Sequence, residues 1–97
     1  MHTLICFDIA ADRPRYRVVK RLLDDASRVQ KSVFEAPSLP RAAYLRLRSD
    51  LEGRIDPSTD SLRYYRLCAA CARRIEHVGA GVDLLNAPPP FEIIDPE

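Results

Sequence analysis

Asp8 is the residue whose type and surroundings disagree most. It sits in "ICFDIA" (Ile5–Ala10), a run that is apolar but for this one carboxylate. An unpaired carboxylate buried in a strand costs several kcal/mol of desolvation. Two roles are open to it. One is to cap the helix that follows or to hold loop amides, although Asp12 is the better-placed cap and Asp8 stands in the strand body between Phe7 and Ile9. The other is to ligate a cation. Mg²⁺ prefers octahedral oxygen ligands and takes one or two carboxylates plus waters and phosphate oxygens, so a single Asp8 is half of such a site. A two-fold axis near the end of the first strand supplies the rest. Asp8 from each of two chains, with a backbone carbonyl or two, then holds a cation that activates water or steadies a phosphate, in the dimer alone.

The arginines are the second chemical feature. Net charge is only +1, but 13 of the 15 basic residues are Arg. A guanidinium fork matches a phosphate better than an ammonium does; a GC-rich genome gives the same bias. Arg13, Arg17 and Arg21 recur at four-residue steps, where like charges repel by a few tenths of a kcal/mol per pair. Such a row is either a solvated face or a phosphate track beside Asp8. Phe34, Tyr64 and Tyr65 are either core and dimer contacts or, on an open sheet face, platforms for bases. Cys68-Ala-Ala-Cys71 is a CxxC. Zinc needs four ligands and the chain has no second pair, which leaves His77 as a third ligand or an ion shared by two chains. A thioredoxin-like CxxC opens a helix after the first strand, and this one is expected in a short loop after the third. The plain reading is small residues at a strand end. The odd cysteine count, with Cys6, argues against a disulfide framework. His2 and His77 read as surface or sheet residues. No Gly-rich phosphate loop, Ser–His–Asp or Cys–His set, or HExxH is present.

These residues need elements to position them. A strand is expected over Thr3–Ile9. A helix follows, with Asp12 as N-cap and Pro14 in the first turn, and a stripe of Tyr16, Val19, Leu23 and Ala26 widened by Val18 and Leu22. "RVQKSVFE" (Arg28–Glu35) reads as one alternating strand, with Val29 and Val33 on one face and Phe34 on the other. Ser38 is the expected cap of a second helix, with Pro40 in its first turn, Leu39, Ala43, Leu47 and Leu51 on its buried face, and Gly53 ending it. Strands over Ser61–Cys68 and roughly Ile75–Val78 complete the set. Four short strands and two helices predict an α+β fold, the split-βαβ or ferredoxin-like βαββαβ arrangement, with one antiparallel sheet and both helices on one face. That domain is expected over 1–80. Over 81–97, "NAPPP" is a stiff extended spacer, and "FEII" (Phe91–Ile94) a short tail strand that pairs in trans or with a partner.

The 97 residues allow one modest core. No apolar run approaches the roughly 18 residues of a membrane span. The N-terminus lacks the basic, apolar and small-residue sections of a signal peptide. A cytoplasmic protein without membrane contact is the expectation.

Four stretches, "FDIAADRPRYRVVKRLL", "RVQKSVFE", "IDPSTDSLRYYRLCAAC" and "IEHVG", together resemble the small CRISPR-associated Cas2 family, in the right order from Leu4 to Gly79. "SVFE" and the "IDPxxDSLRxYRLCxxC" pattern are the specific parts. The resemblance implies a ferredoxin-like homodimer, an Asp pair at its interface that binds Mg²⁺, and C-terminal strands that bind the partner subunit's sheet or the Cas1 integrase. Asp8 takes the position of the metal ligand and catalytic carboxylate. Arg15 and Arg17 take those of basic residues after the first loop, Arg28 is a looser match at the start of strand two, and Phe34 is the supporting Phe of "SVFE". Phe7 stands where many members carry Tyr, and the CxxC recurs in part of the family. Two functions follow. One is a Mg²⁺-dependent endonuclease acting on RNA or DNA, with Arg13, Arg15, Arg17, Arg21 and Arg28 binding nucleic acid. The other is a non-catalytic dimeric scaffold that bridges Cas1 integrase dimers on duplex DNA in spacer acquisition.

Overall fold

The computed structural model describes residues 1–79. In chain order they form β1 (His2–Asp8), α1 (Asp12–Leu22), β2 (Ser27–Gln30), β3 (Val33–Ala36), α2 (Arg41–Glu52), β4 (Ser61–Leu67) and the single turn α3 (Ala69–Ala72). The sheet runs β2-β3-β1-β4, with every neighbouring pair antiparallel. β1 and β2 are therefore parallel with β3 between them, and β3 and β4 parallel with β1 between them. This is the expected ferredoxin-like βαββαβ fold.

Burial along β1 alternates strictly through Phe7, with Thr3, Ile5 and Phe7 buried and His2, Leu4 and Cys6 less so. Successive side chains of a strand point to opposite faces, so one face of the sheet is core and the other is open. Both helices lie on the core face. Tyr16, Val18, Val19 and Leu22 of α1 and Tyr44, Leu47 and Leu51 of α2 are buried, and most of them join Ile5, Phe7, Phe34 and Leu39 in one cluster. Leu23, Ala26 and Ala43, also expected on the apolar stripes, pack against it partly buried. Between the helices, Arg21 Nε donates to Asp50 Oδ2 at 2.9 Å. The open face carries Leu4, Val29, Val33 and Glu35, and with Ile75 and His77 these bound a cavity of about 510 Å³. His2 at its edge pairs with Glu35 at 2.6 Å.

The segmentation differs from expectation at three places. "RVQKSVFE" is two strands: Gln30 pairs with Val33 across a two-residue turn at Lys31 and Ser32, with an irregularity in register between Arg28 and Gln30. The hairpin buries Phe34 fully against the helices, and its partner across the ladder, Arg28, lays its guanidinium over the Phe34 ring at 5.5 Å. Ile75–Val78 form no strand: the alanine-rich stretch after β4 coils into α3, and the chain that follows borders the open face. The extra strand from the hairpin restores the expected count of four. The helix caps also shift by one or two residues. Ala11 and Pro40 hold the N-cap positions, and neither helix has a side-chain cap. The Asp12 carboxylate is instead engaged by the Arg15 guanidinium. The extended Pro40 (φ −63, ψ 157) starts α2, accepting the Tyr44 N–H at 2.9 Å. The expected tail strand at Phe91–Ile94 and the segment 81–97 lie outside the described residues.

Candidate nucleic-acid and metal site

The alternation of β1 settles where Asp8 points. With Thr3, Ile5 and Phe7 facing the helices, Asp8 falls on the open side at the strand's end and is exposed, and Ile9 turns back into the core at 4% exposure. The desolvation cost that made the residue anomalous is not incurred. Asp8 pairs across the ladder with Ser61 of β4. Among the described residues no side chain hydrogen-bonds or ion-pairs with its carboxylate.

Three cations converge on it. Asp8, Ile9, Arg15, Arg28, Lys31 and Ser32 line one cavity of about 310 Å³. Arg15 reaches it from the start of α1, where its Nη1 donates to the carbonyls of Ile9 at 3.2 Å and Ala10 at 2.9 Å and so pins the β1–α1 loop. Arg28 reaches it from β2, held over Phe34 and donating through Nε and Nη2 to the Lys31 carbonyl at 3.0 and 2.8 Å. The Lys31–Ser32 turn is tied to the end of β1 by the Phe7 N–H, which donates to the Ser32 carbonyl at 3.1 Å. Burial, and then the positive charge of Arg15, push the Arg28 guanidinium below its ordinary value. An anion placed beside Arg28 offsets both effects.

The other sequence candidates divide. Arg13 is exposed at the start of α1. Arg17 and Arg21 line a separate cavity of about 270 Å³ with Lys20, Asp24 and Arg54. Arg21 is bonded to Asp25 and Asp50, both at 2.9 Å, with Asp24 at 4.0 Å. Burial acts to lower its guanidinium, and the bonds to Asp25 and Asp50 outweigh it and hold the group above its usual value. The expected row of Arg13, Arg17 and Arg21 therefore does not line the Asp8 cavity; of the α1 arginines Arg15 does. Phe34 is not a platform for bases: it is fully buried, with its ring 6.2 Å from Phe7, and supports Arg28 from beneath. Tyr64 is half-buried on the core face, edge-on to Tyr44 at 5.8 Å and 88°, and burial pushes its hydroxyl above the usual range. Tyr65 alone of the three lies on the open face, 43% exposed. Lys31 is the residue that sequence reasoning missed. Its signal was the polar run Gln30-Lys31-Ser32 between two valines, which reads as a short hairpin turn once it is not absorbed into a longer strand.

As a metal site the arrangement is half-built. Among the described residues no three His, Cys, Asp or Glu side chains group to hold an ion. Asp8 alone supplies a hard oxygen donor that suits Mg²⁺, and a second carboxylate from a symmetric copy fits that deficit.

The fold and site define a small ferredoxin-like α+β protein with an exposed carboxylate and a cluster of cations at the end of its first strand. The sequence profile described as CRISPR associated protein Cas2 matches residues 1–75. The CRISPR-associated endoribonuclease Cas2 1 of Chloroflexus aurantiacus is 43% identical over 91 residues, which are 93% of this chain and 90% of that protein. The crystal structure of Streptococcus pyogenes Cas2 superposes with a TM-score of 0.66 at 37% identity, over 81% of this chain and 100% of that one. A chain of a partial Cas6-RT-Cas1–Cas2 complex gives a TM-score of 0.66 at 27% identity, over 90% of this chain and 88% of that one. The chain belongs to the CRISPR-associated Cas2 family. No helix among its described residues is long and apolar enough to cross a membrane.

Proposed function

We propose that two copies of the chain associate with their Asp8 residues together and cleave a nucleic-acid phosphodiester with the help of Mg²⁺, in the cytoplasm and in the service of CRISPR adaptation. The observation that carries this reading is the exposed Asp8 carboxylate, without a partner among the described residues, in a cavity with Arg15, Arg28 and Lys31. The endoribonuclease name of the Chloroflexus relative supports it. Mg²⁺ held by the two Asp8 carboxylates would supply Lewis acidity toward the phosphate and its attacking water. The remaining work is done by the chain. Arg15 and Arg28, both anchored by carbonyls, bind non-bridging phosphate oxygens without reorganising. Lys31 adds a movable charge at the turn. Arg13 and Arg17 contact flanking phosphates.

The test is a cleavage assay on RNA and DNA substrates, single- and double-stranded, with and without Mg²⁺, using wild type and Asp8→Asn. Cleavage by wild type that needs Mg²⁺ and falls by at least a hundredfold in the variant is the expected result. Undiminished cleavage by Asp8→Asn refutes the assignment.

A second reading is favoured by the match to a chain of a Cas1-containing complex and by the cavity itself, whose lining includes no imidazole and no carboxylate besides Asp8 to take up a proton. In it the dimer is a scaffold that holds duplex DNA between Cas1 integrase subunits through the same cations. Spacer integration that survives Asp8→Asn, and is lost on deletion of Pro88–Glu97, selects the scaffold.

A further inference from the structure

The CxxC after β4 does not lie in a loop. Its four residues and Ala72 close one helical turn, the Cys68 carbonyl accepting the Ala72 N–H at 2.9 Å and the Ala69 carbonyl accepting the Arg73 N–H at 3.1 Å. Residues three apart in such a turn lie on the same side. Cys68 and Cys71 thus stand on one side of this turn, at its first and fourth positions. Both cysteines are exposed and free, whereas Cys6 is half-buried on β1. Among the described residues no third ligand joins the pair to hold a metal.

The two thiols also differ. Hydrogen bonds from Cys71 lower the Cys68 thiol below its ordinary value, and the bond to Cys68 raises that of Cys71. Burial raises Cys6. In thiol–disulfide exchange the more acidic exposed thiol is ionised first, and a neighbouring thiol resolves the mixed disulfide.

We propose that Cys68 and Cys71 form a reversible dithiol–disulfide site that exchanges with low-molecular-weight disulfides of the glutathione type. The Cys68 thiolate attacks one sulfur of the small disulfide. The Cys68–sulfur bond forms, the small disulfide's sulfur–sulfur bond breaks, and one small thiolate leaves and takes up a proton. Cys71 gives its proton to water and its thiolate attacks the Cys68 sulfur, which expels the second small thiol. Two protein thiols are oxidised and one small disulfide is reduced to two thiols. The closed ring staples the turn that joins β4 to Ile75–His77, the segment bounding the cavity on the open sheet face. The redox state thus sets how rigidly the chain leaves the sheet.

The experiment equilibrates the full chain in glutathione buffers from fully reduced to fully oxidised. Free thiols are then trapped by alkylation and the intact protein and its peptides are weighed. The expected result is loss of the Cys68 and Cys71 alkylation sites together, with Cys6 still alkylated and both sites restored by dithiothreitol. Cys71→Ser should stop at a stable mixed disulfide on Cys68, and Cys68→Ser should acquire the adduct far more slowly. Cys68 and Cys71 that stay alkylated in fully oxidised buffer overturn the proposal, as do disulfides found only between chains. Neither result depends on whether the protein cleaves nucleic acid.

Discussion

At the residue scale, Asp8 shows how a one-residue parity decides where a charge sits. Moved one place along β1, the carboxylate would enter the core beside Phe34; where it stands, it is exposed and ringed by cations. Its replacement is a surface change, so Asp8→Asn should alter unfolding free energy by no more than about 0.5 kcal/mol, which makes a loss of cleavage attributable to chemistry. The cations make a separate prediction. Each phosphate contact adds nearly one unit to the slope of log affinity against log salt. Arg28→Ala and Lys31→Ala should each flatten the slope for a short duplex or single strand by about one, as read by fluorescence anisotropy across a salt series. Arg21→Ala should leave it unchanged, because that guanidinium is engaged by Asp25 and Asp50.

At the element scale, Arg21 is instead a tie between helices. Its bond to Asp50 joins α1 to α2, and the same bond holds the Asp50 carboxyl below its ordinary 3.8. A carboxylate depressed in the folded state stabilises fully above its unfolded pKa, and the contribution fades as pH falls through the folded value. Arg21→Ala should therefore lower the thermal midpoint at pH 7 and flatten its decline as pH drops from about 5 towards 2. Thermal melts across that range check it, and a wild-type acid slope in the variant would show the tie to be unimportant. The β2–β3 hairpin is the other decisive element. By turning at Lys31–Ser32 it sends Phe34 into the core, stacks Arg28 above it and leaves Lys31 at the Asp8 cavity. One continuous strand over the same residues would have spread these groups over about 20 Å.

At the scale of the whole molecule, the described residues of one chain place a single carboxylate beside three cations, so a Mg²⁺ site of the proposed kind needs a second copy. A cation bound only between two chains stabilises the folded dimer by mass action, so its effect depends on protein concentration as well as on metal. Mg²⁺ should raise the thermal midpoint of wild type by an amount that grows with protein concentration, and leave Asp8→Asn unmoved. A Mg²⁺ effect independent of concentration, or one preserved in Asp8→Asn, would place the ion elsewhere.

Much of this was legible in the residues alone. The short apolar run of "ICFDIA", the period-3.6 stripes of α1 and α2 and the order of elements were enough for an α+β sheet with both helices on one face, because such patterns are local consequences of burying an element. Asp8 stood out for the same reason: a charge in an apolar run is an anomaly that needs no tertiary knowledge to notice. What local pattern cannot carry is the choice among equally good local solutions. "RVQKSVFE" alternates well enough to be one strand, and only packing Phe34 under two helices breaks it into a hairpin. Four arginines on α1 look alike in sequence, yet the approach of α2 engages Arg21 with Asp50 while the β1–α1 loop takes Arg15 to Asp8. The CxxC reads as strand-end filler until the chain coils after β4 and sets its two cysteines on one side of a helical turn. In each case the deciding contact joins residues far apart in the chain or depends on a turn that propensity leaves open, so the sequence determined which groups exist and the tertiary structure decided which of them meet.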